Sequence, residues 1–394
     1  MPPSNVILEP RSVIRTALLL SLLSFVVPAA PAAQVVGIAL DAKVELVNGD
    51  LHVLPKPPAD AAVFLSFSGT TARTLGEVPV PTGFQGPPSS LAIAADGKLA
   101  LVAASQRVDA NDPAQLAPDR TLSVIDLAAT PMRATQTIAL DASPAGIAIH
   151  PDGKLALVAH TADNSVSVLA IADGRVRVVE KLALGDATGP LAVAFAPDGR
   201  RALISFPERA RVGVYAVEQG RLRLPAIREL SAGVYPASLA YCGTSGLAVV
   251  ANYGRVTGDA DTISLLDVGA ALPRVIDTAS VGPSPEGVAC APDGRHAAAA
   301  LQNMTTVAND APFHAADSRL VVLRIENRRL TRIAEAPFGP WAQGVGFIDD
   351  TTLFAQSMGD RSLHVFRLDG DALREAAPIR FAHGAPAAYG ISGR

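Results

Sequence analysis

The sequence predicts an all-β fold, a seven-bladed β-propeller of four-stranded antiparallel blades closed by N-terminal outer strands pairing with the C-terminal inner strand. Three observations predict it. A hairpin pattern of two alternating runs around a Pro-Asp-Gly turn recurs along the chain, a second alternating run recurs once per hairpin, and the counts of the two are equal. The chain has 394 residues, 49% of them hydrophobic and 18% charged, which is enough apolar surface to fill a large repeat core.

The hairpin is plainest in "PAGIAIHPDGKLALVAH", Pro144 to His160. Proline presets the second turn position, aspartate bonds the local backbone, and glycine takes the left-handed conformation that closes a bulged hairpin. Comparable turns fall at Asp96-Gly97, Asp198-Gly199 and Asp293-Gly294, while Gly243 to Gly246 and Asp349-Asp350 replace the turn in two more copies. Equivalents of Pro144 lie at Pro88, Pro190, Pro236, Pro285, Ala342 and Pro386, so the units are 44 to 57 residues apart. The third strand of each unit reads "TLSVIDL" at Thr121, "SVSVLAI" at Ser165, "RVGVYAV" at Arg211, "TISLLDV" at Thr262, "RLVVLRI" at Arg319 and "SLHVFRL" at Ser362, with an early copy, "AVFLSFS", at Ala62. A fourth short strand follows each.

With strands named A to D from the channel outward, seven A strands and seven C strands are expected. The first C strand precedes every regular A strand, so the last A strand, Ala387 to Ile391, must join outer strands from the N-terminus, leaving no free sheet edge. "VVGIAL" and "KVELV", between Val35 and Val47, offer more strand than this closure needs, and an eight-bladed ring is the alternative.

Ahead of the repeats, Arg11 and Arg15 precede the 11-residue apolar run Ala17 to Val27, and Ala30-Pro31-Ala32 supplies a cleavage site. This reads as a signal peptide over residues 1–32, with one propeller domain over 33–394 and a periplasmic or secreted destination. A spanning helix needs about 20 apolar residues, so no membrane span is expected in the mature chain. The net charge of -4 and the lack of a Lys/Arg run argue against nucleic acid. A monomer is expected.

In a propeller the B-to-C and D-to-A loops share one face. Strand B ends in polar His160, Asn252 and Gln356, and Tyr235, Glu286, Trp341 and Gln343 stand just before or at the start of strand A. These seven are expected to face the channel mouth. Long B-to-C loops at Gln106–Arg120, Asn252–Asp261 and Gln302–Ser318 add Arg107, Tyr253, Arg255 and Asn303 as ligand-binding candidates. Glu286 and His160 are the catalytic candidates. Glu286 with Asn252 and Asn303 is a candidate calcium set, one carboxylate and two amide oxygens, although "DANDPAQLAPDR" fails the calcium-loop pattern at Pro113, Ala114 and Arg120. Cys242 and Cys290 lie on A strands of neighbouring blades with opposite side-chain parity, so they face each other or point apart; facing, they would form a disulfide.

The "PxGxAxxPDGKxALVA" and "xxVSVIDL" patterns resemble secreted propellers with YVTN-type repeats and, more distantly, the lactonase-like seven-bladed family. The matching residues are turn and core residues, so the resemblance implies the architecture directly and an activity only indirectly. No HExxH, G-x-S-x-G, Walker or CxxCH motif is present. The expected function is therefore a non-enzymatic exported scaffold, binding a protein or a polar small molecule through its long-loop face. The alternative implied by the resemblance is a lactonase-like hydrolase, with Glu286 or His160 as base and Arg107 or Arg255 steadying an anionic substrate.

Overall fold

The computed structural model describes Met1 and residues 34–393. The rest of the expected signal segment lies outside them. Blade 2 is the regular case: Ile147–Ile149, Leu155–His160, Ser165–Ala172 and Arg175–Ala183 pair antiparallel in that order. Its A-to-B turn works as the sequence requires. Gly153 has φ +72° and donates to the His150 carbonyl, while Asp152 accepts from the Lys154 amide at 2.8 Å.

Burial peaks in the second strand of each blade and falls toward the outer edge. Every residue of Leu155–His160 is buried, whereas Arg175–Ala183 buries only Val176 fully. Middle strands are apolar on both faces because each blade packs between two others, so they read as continuous hydrophobic runs and not as half-polar strands. Blades 3 and 6 break the outer strand in two, at Arg221–Leu222 with Arg228–Ser231 and at Ala372–Glu375 with Ile379–Arg380.

The closing blade joins the chain ends. Its inner strand is Ala385–Ile391, and Val36–Asp41, Ala61–Ser68 and Thr71–Pro79 follow outward, with Val36 opposite Ile391. The ring therefore has seven blades and not eight. "VVGIAL" is the closing blade's strand B, and "KVELV" leads into a separate hairpin, Val44–Val47 with Asp50–Val53, inserted between strands B and C. Cys242 and Cys290 form a disulfide between the inner strands of blades 4 and 5, with Cα atoms 5.0 Å apart. Among the described residues no helix is long and apolar enough to cross a membrane.

Candidate functional site

The inserted hairpin rises on the face that carries the B-to-C loops and reaches from the closing blade over Trp341 to the blade 5 loop. Its base is held by Lys43, whose ammonium reaches Asp41 at 2.7 Å, Asp60, and the Thr82 carbonyl at 3.1 Å. Asp60 also accepts from the Ala42 and Thr82 amides, tying both feet of the hairpin to the closing blade. Burial alone would pull the Lys43 pKa down, but Asp41 and Asp60 more than offset it, so the lysine stays cationic. Burial raises the Asp41 carboxyl, and Lys43 opposes that rise. Above this base the apolar face packs Val44, with Leu46 and Val53 beside it, against Phe84, Trp341 and Met358. The tip rests on the blade 5 loop. Asn48 accepts from the Asn309 amide at 2.9 Å, and a Cβ on Gly49 would meet the Ala308 nitrogen at 2.4 Å.

Glu286 lies at the start of the blade 5 inner strand. The inner strands of blades 4, 5 and 6 shift register just after their first residue: Pro236 pairs Asn252 but Ser238 pairs Ala251, Pro285 pairs Leu301 but Gly287 pairs Ala300, and blade 6 repeats the shift after Ala342. A bulge of this kind redirects the extra side chain, which is Ala237, Glu286 and Gln343 in turn. The other four blades place Ser89, Ala145, Leu191 and Ala387 at the matching step after their proline. Only blade 5 carries an ionisable group there.

Glu286 keeps some solvent contact yet is closely enclosed, and burial pushes its carboxyl up to about 8. No other cause contributes, so no cation holds the charge. One carboxylate oxygen accepts from the Gln302 amide nitrogen at 3.2 Å. Gln302 is oriented for this, because its carbonyl oxygen accepts from Tyr253 at 2.8 Å and from Thr306 at 3.2 Å. The Tyr253 hydroxyl is held far above its ordinary range by burial and by the nearby Glu286. Tyr235 packs against it with ring centroids 5.9 Å apart, and the Arg255 guanidinium stands 5.1 Å over the Tyr235 ring while paired to Glu208 at 3.0 Å. A carboxyl poised near neutrality, with one oxygen fixed by a positioned amide and water within reach, is equipped to exchange a proton with a reacting group.

The family described as "Lactonase, 7-bladed beta-propeller" matches residues 115–233. Solved structures agree on the fold over nearly the whole chain. A periplasmic gluconolactonase from Pseudomonas aeruginosa is 15% identical with a TM-score of 0.65, covering 91% of this chain and 99% of its own. A protein from Bacteroides uniformis, whose 6-phosphogluconolactonase assignment is itself a proposal, is 16% identical with a TM-score of 0.66 and coverages of 91% and 99%. Over residues 115–233 the chain resembles the lactonase propellers, and the solved structures share its seven-bladed ring. The hydrazine synthase of Kuenenia stuttgartiensis also matches, at 16% identity and a TM-score of 0.58 over 77% of this chain and 89% of its own, so the ring itself selects no chemistry. No curated protein sequence matches.

Within this propeller the other sequence candidates divide sharply. His160, Asn252 and Gln356, expected at the mouth, are instead buried and committed to the fold. His160 faces the Ser143 carbonyl at 3.2 Å and Ser167 at 2.8 Å, and burial lowers its pKa. Asn252 accepts from the Gly233 amide and donates to Thr262 and Ser264. Gln356 bridges the Gly344 amide and the Ala388 carbonyl, joining blade 6 to the closing blade. Each bond satisfies a backbone or hydroxyl group at a strand end, which explains polar residues there without a ligand. Trp341 is the floor beneath the hairpin and not an open platform; it meets Phe84 edge-on at 6.0 Å.

The candidate calcium set is partly committed to the fold. The Asn252 oxygen is taken, and Asn303 turns its amide nitrogen to the Asp317 carbonyl to close its own loop. Among the described residues no group of three or more His, Cys, Asp or Glu side chains converges. Arg107 is exposed on the extended strand B of blade 1, where its partner in register is Ala117. Glu286, Tyr253 and Tyr235 do come together, and Gln343 stands on the adjoining inner strand. Gln302 and Thr306 were not legible as site residues. The available signal was their place at the head of the long blade 5 B-to-C loop.

Proposed function

We propose that this protein is an exported lactonase-like hydrolase in which Glu286 is the general base. The observation that carries the reading is the Glu286–Gln302–Tyr253 chain, which places the ionisable residue of the inner bulge series at a water-reachable point on the loop-bearing face. In its ionised form Glu286 takes a proton from water, and the resulting hydroxide attacks the lactone carbonyl. As the tetrahedral intermediate collapses, the ring C–O bond breaks and the protonated Glu286 returns the proton to the departing alkoxide, giving the open hydroxy acid. Gln302 holds the second carboxylate oxygen so that the first addresses the water. His160 is unsuited to this step because Ser143 and Ser167 occupy both ring nitrogens.

The reading of export draws on the Arg-flanked apolar run before Ala32 and on the Cys242–Cys290 bond, since such bonds persist in oxidising compartments. The hydrolase reading gains over the non-catalytic scaffold from the lactonase family match and from a carboxyl held near neutrality. The test is hydrolysis of a panel of five- and six-membered lactones by the purified protein and by Glu286→Gln. A rate above background that collapses in the variant is expected. No rate with any lactone would return the chain to the scaffold reading.

A further inference from the structure

The turn that carries Gln302 is strained and tightly held. The Thr305 amide donates to the Gln302 carbonyl at 3.0 Å, and both residues between them have positive φ, Asn303 at +52° and Met304 at +62°. Two positive φ values in succession belong to a type I′ turn, which suits asparagine and glycine but not methionine. Such a conformation persists only where its surroundings over-determine it. Here the Asn303 amide nitrogen donates to the Asp317 carbonyl at 2.8 Å, and both Met304 and Thr305 are buried. The Thr305 hydroxyl donates to the Gln302 carbonyl at 2.7 Å, accepts from the Trp341 amide at 2.9 Å, and lies 3.4 Å from the Ser318 hydroxyl, which itself accepts from the Ala342 amide at 3.2 Å. Trp341 is a fixed anchor, packed under the hairpin Val44–Val53 and edge-on to Phe84. At its other end the turn is pinned beside Glu286, because the Gln302 amide of the backbone donates to the Ser284 carbonyl at 2.9 Å.

We propose that Thr305 is a positioning residue for Glu286, its hydroxyl holding the Gln302–Thr305 turn against blade 6 so that the Gln302 side-chain amide stays on the Glu286 carboxyl. Once the backbone is set, the side chain has little choice. Tyr253 and Thr306 donate to its oxygen, which leaves its nitrogen facing Glu286. An N–H donated to a carboxyl favours the ionised form, so a loosened turn raises the Glu286 pKa above the value of about 8 that burial already gives it. The neighbouring titratable groups are Tyr235 and Tyr253, both raised by burial, and Asp261, also raised by burial, which accepts from the Ser284 amide at 2.9 Å. The inference rests on the hydrolase reading for its effect on turnover and on hydrogen bonding alone for its effect on ionisation.

The test titrates Glu286 directly in the full folded chain, by NMR of glutamate labelled at its carboxyl carbon. The Glu286 signal is assigned from its loss in Glu286→Gln, and Asp261 and the tyrosines carry no label. Thr305→Val and Thr305→Ala both remove the hydroxyl, the second without placing a methyl against the Trp341 amide. Each is expected to raise the Glu286 midpoint by about 0.5–1 pH unit. Thr305→Ser, which keeps the hydroxyl, is expected to retain the wild-type midpoint. Gln302→Met should raise the midpoint at least as far, and adding Thr305→Val to it should raise it no further, because the threonine acts through the glutamine. A merely structural threonine would lower Tm in Thr305→Val and leave the midpoint alone, which overturns the inference, as does a further rise on top of Gln302→Met. In the turnover arm, the rising limb of kcat/KM for lactones is expected to move to higher pH with the midpoint. Glu286-dependent turnover with an unmoved midpoint would overturn the inference and leave the hydrolase reading standing. A midpoint moved as expected, without turnover of any lactone, would do the reverse.

Discussion

The two faces of the ring are built from the same seven blades and differ in almost everything else. On the turn face the A-to-B connections are near-copies of one bulged hairpin, and the channel opens there as a cavity of about 560 Å³ lined by apolar groups such as Ile149, Phe195 and Phe347, with Tyr241 at its edge. On the loop face the connections differ from blade to blade, the hairpin Val44–Val53 covers Trp341, and the enclosed carboxyl Glu286 is found. A turn whose geometry is fixed by proline, aspartate and glycine leaves little to vary, whereas a loop that closes no hairpin tolerates insertion and acquires chemistry. The channel cavity and the enclosed carboxyl therefore lie on opposite faces of the ring.

The largest effect expected from this contrast is on turnover. Glu286→Gln should lower kcat/KM for lactones on the order of a hundred- to ten-thousand-fold, while Tyr241→Phe, on the turn face, should leave it unchanged. Equal losses in initial-rate assays would dissolve the distinction between the faces.

Next comes stability. Lys43→Met leaves Asp41 and Asp60 buried without their cation and should cost about 3–5 kcal/mol, read as a lower urea midpoint. On the opposite side of the ring, replacing both cysteines by serine should cost about 4 kcal/mol, since the Cys242–Cys290 bond closes a separation of 48 residues. The two variants should part company in activity per folded molecule, which only the first reduces. A smaller loss, about 1–3 kcal/mol, is expected for Gly49→Val, because its φ of +86° and the close Ala308 backbone exclude a branched side chain at the hairpin tip.

The smallest effects concern pH. His160 is held neutral by burial, its pKa lowered in the folded state, so the unfolded chain binds the extra proton and stability falls as pH drops through about 6.5. His364 runs the other way. Burial opposes its charge, but Asp360 at 3.0 Å and Glu375 at 2.6 Å more than compensate and raise its pKa. Its contribution is present below pH 6.5 and is lost as pH rises through the folded value. Across melting curves from pH 5 to 8, His160→Gln should therefore remove a rise of Tm with pH and His364→Gln a fall; curves parallel to wild type would remove both assignments.

The ring was legible because its determinants are local. A Pro-Asp-Gly turn flanked by alternating runs specifies a hairpin wherever it occurs, and equal counts of A and C strands force the 3+1 closure. "KVELV" was not legible as a cover, since its strand pattern is the same whether it joins a blade or leaves it; what decides is the tertiary packing on Trp341 and the Lys43 anchor. At the site, Glu286 stood out as a carboxylate among small residues. His160, Asn252 and Gln356 misled for a physical reason: strand ends carry unpaired backbone groups, and a polar side chain that satisfies one looks in sequence like a side chain awaiting a ligand. Gln302 acts through its orientation, which no residue pattern records.

The most direct test of Glu286 as general base is the pH dependence of kcat/KM for lactone hydrolysis from pH 5.5 to 9.5, corrected for spontaneous hydrolysis. A carboxyl raised to about 8 is only about one-tenth ionised at pH 7, so the rate should climb through a single ionisation near 8 and level off above it, and Glu286→Gln should lose that limb. A flat profile across this range, or the same limb surviving in the variant, would contradict the account.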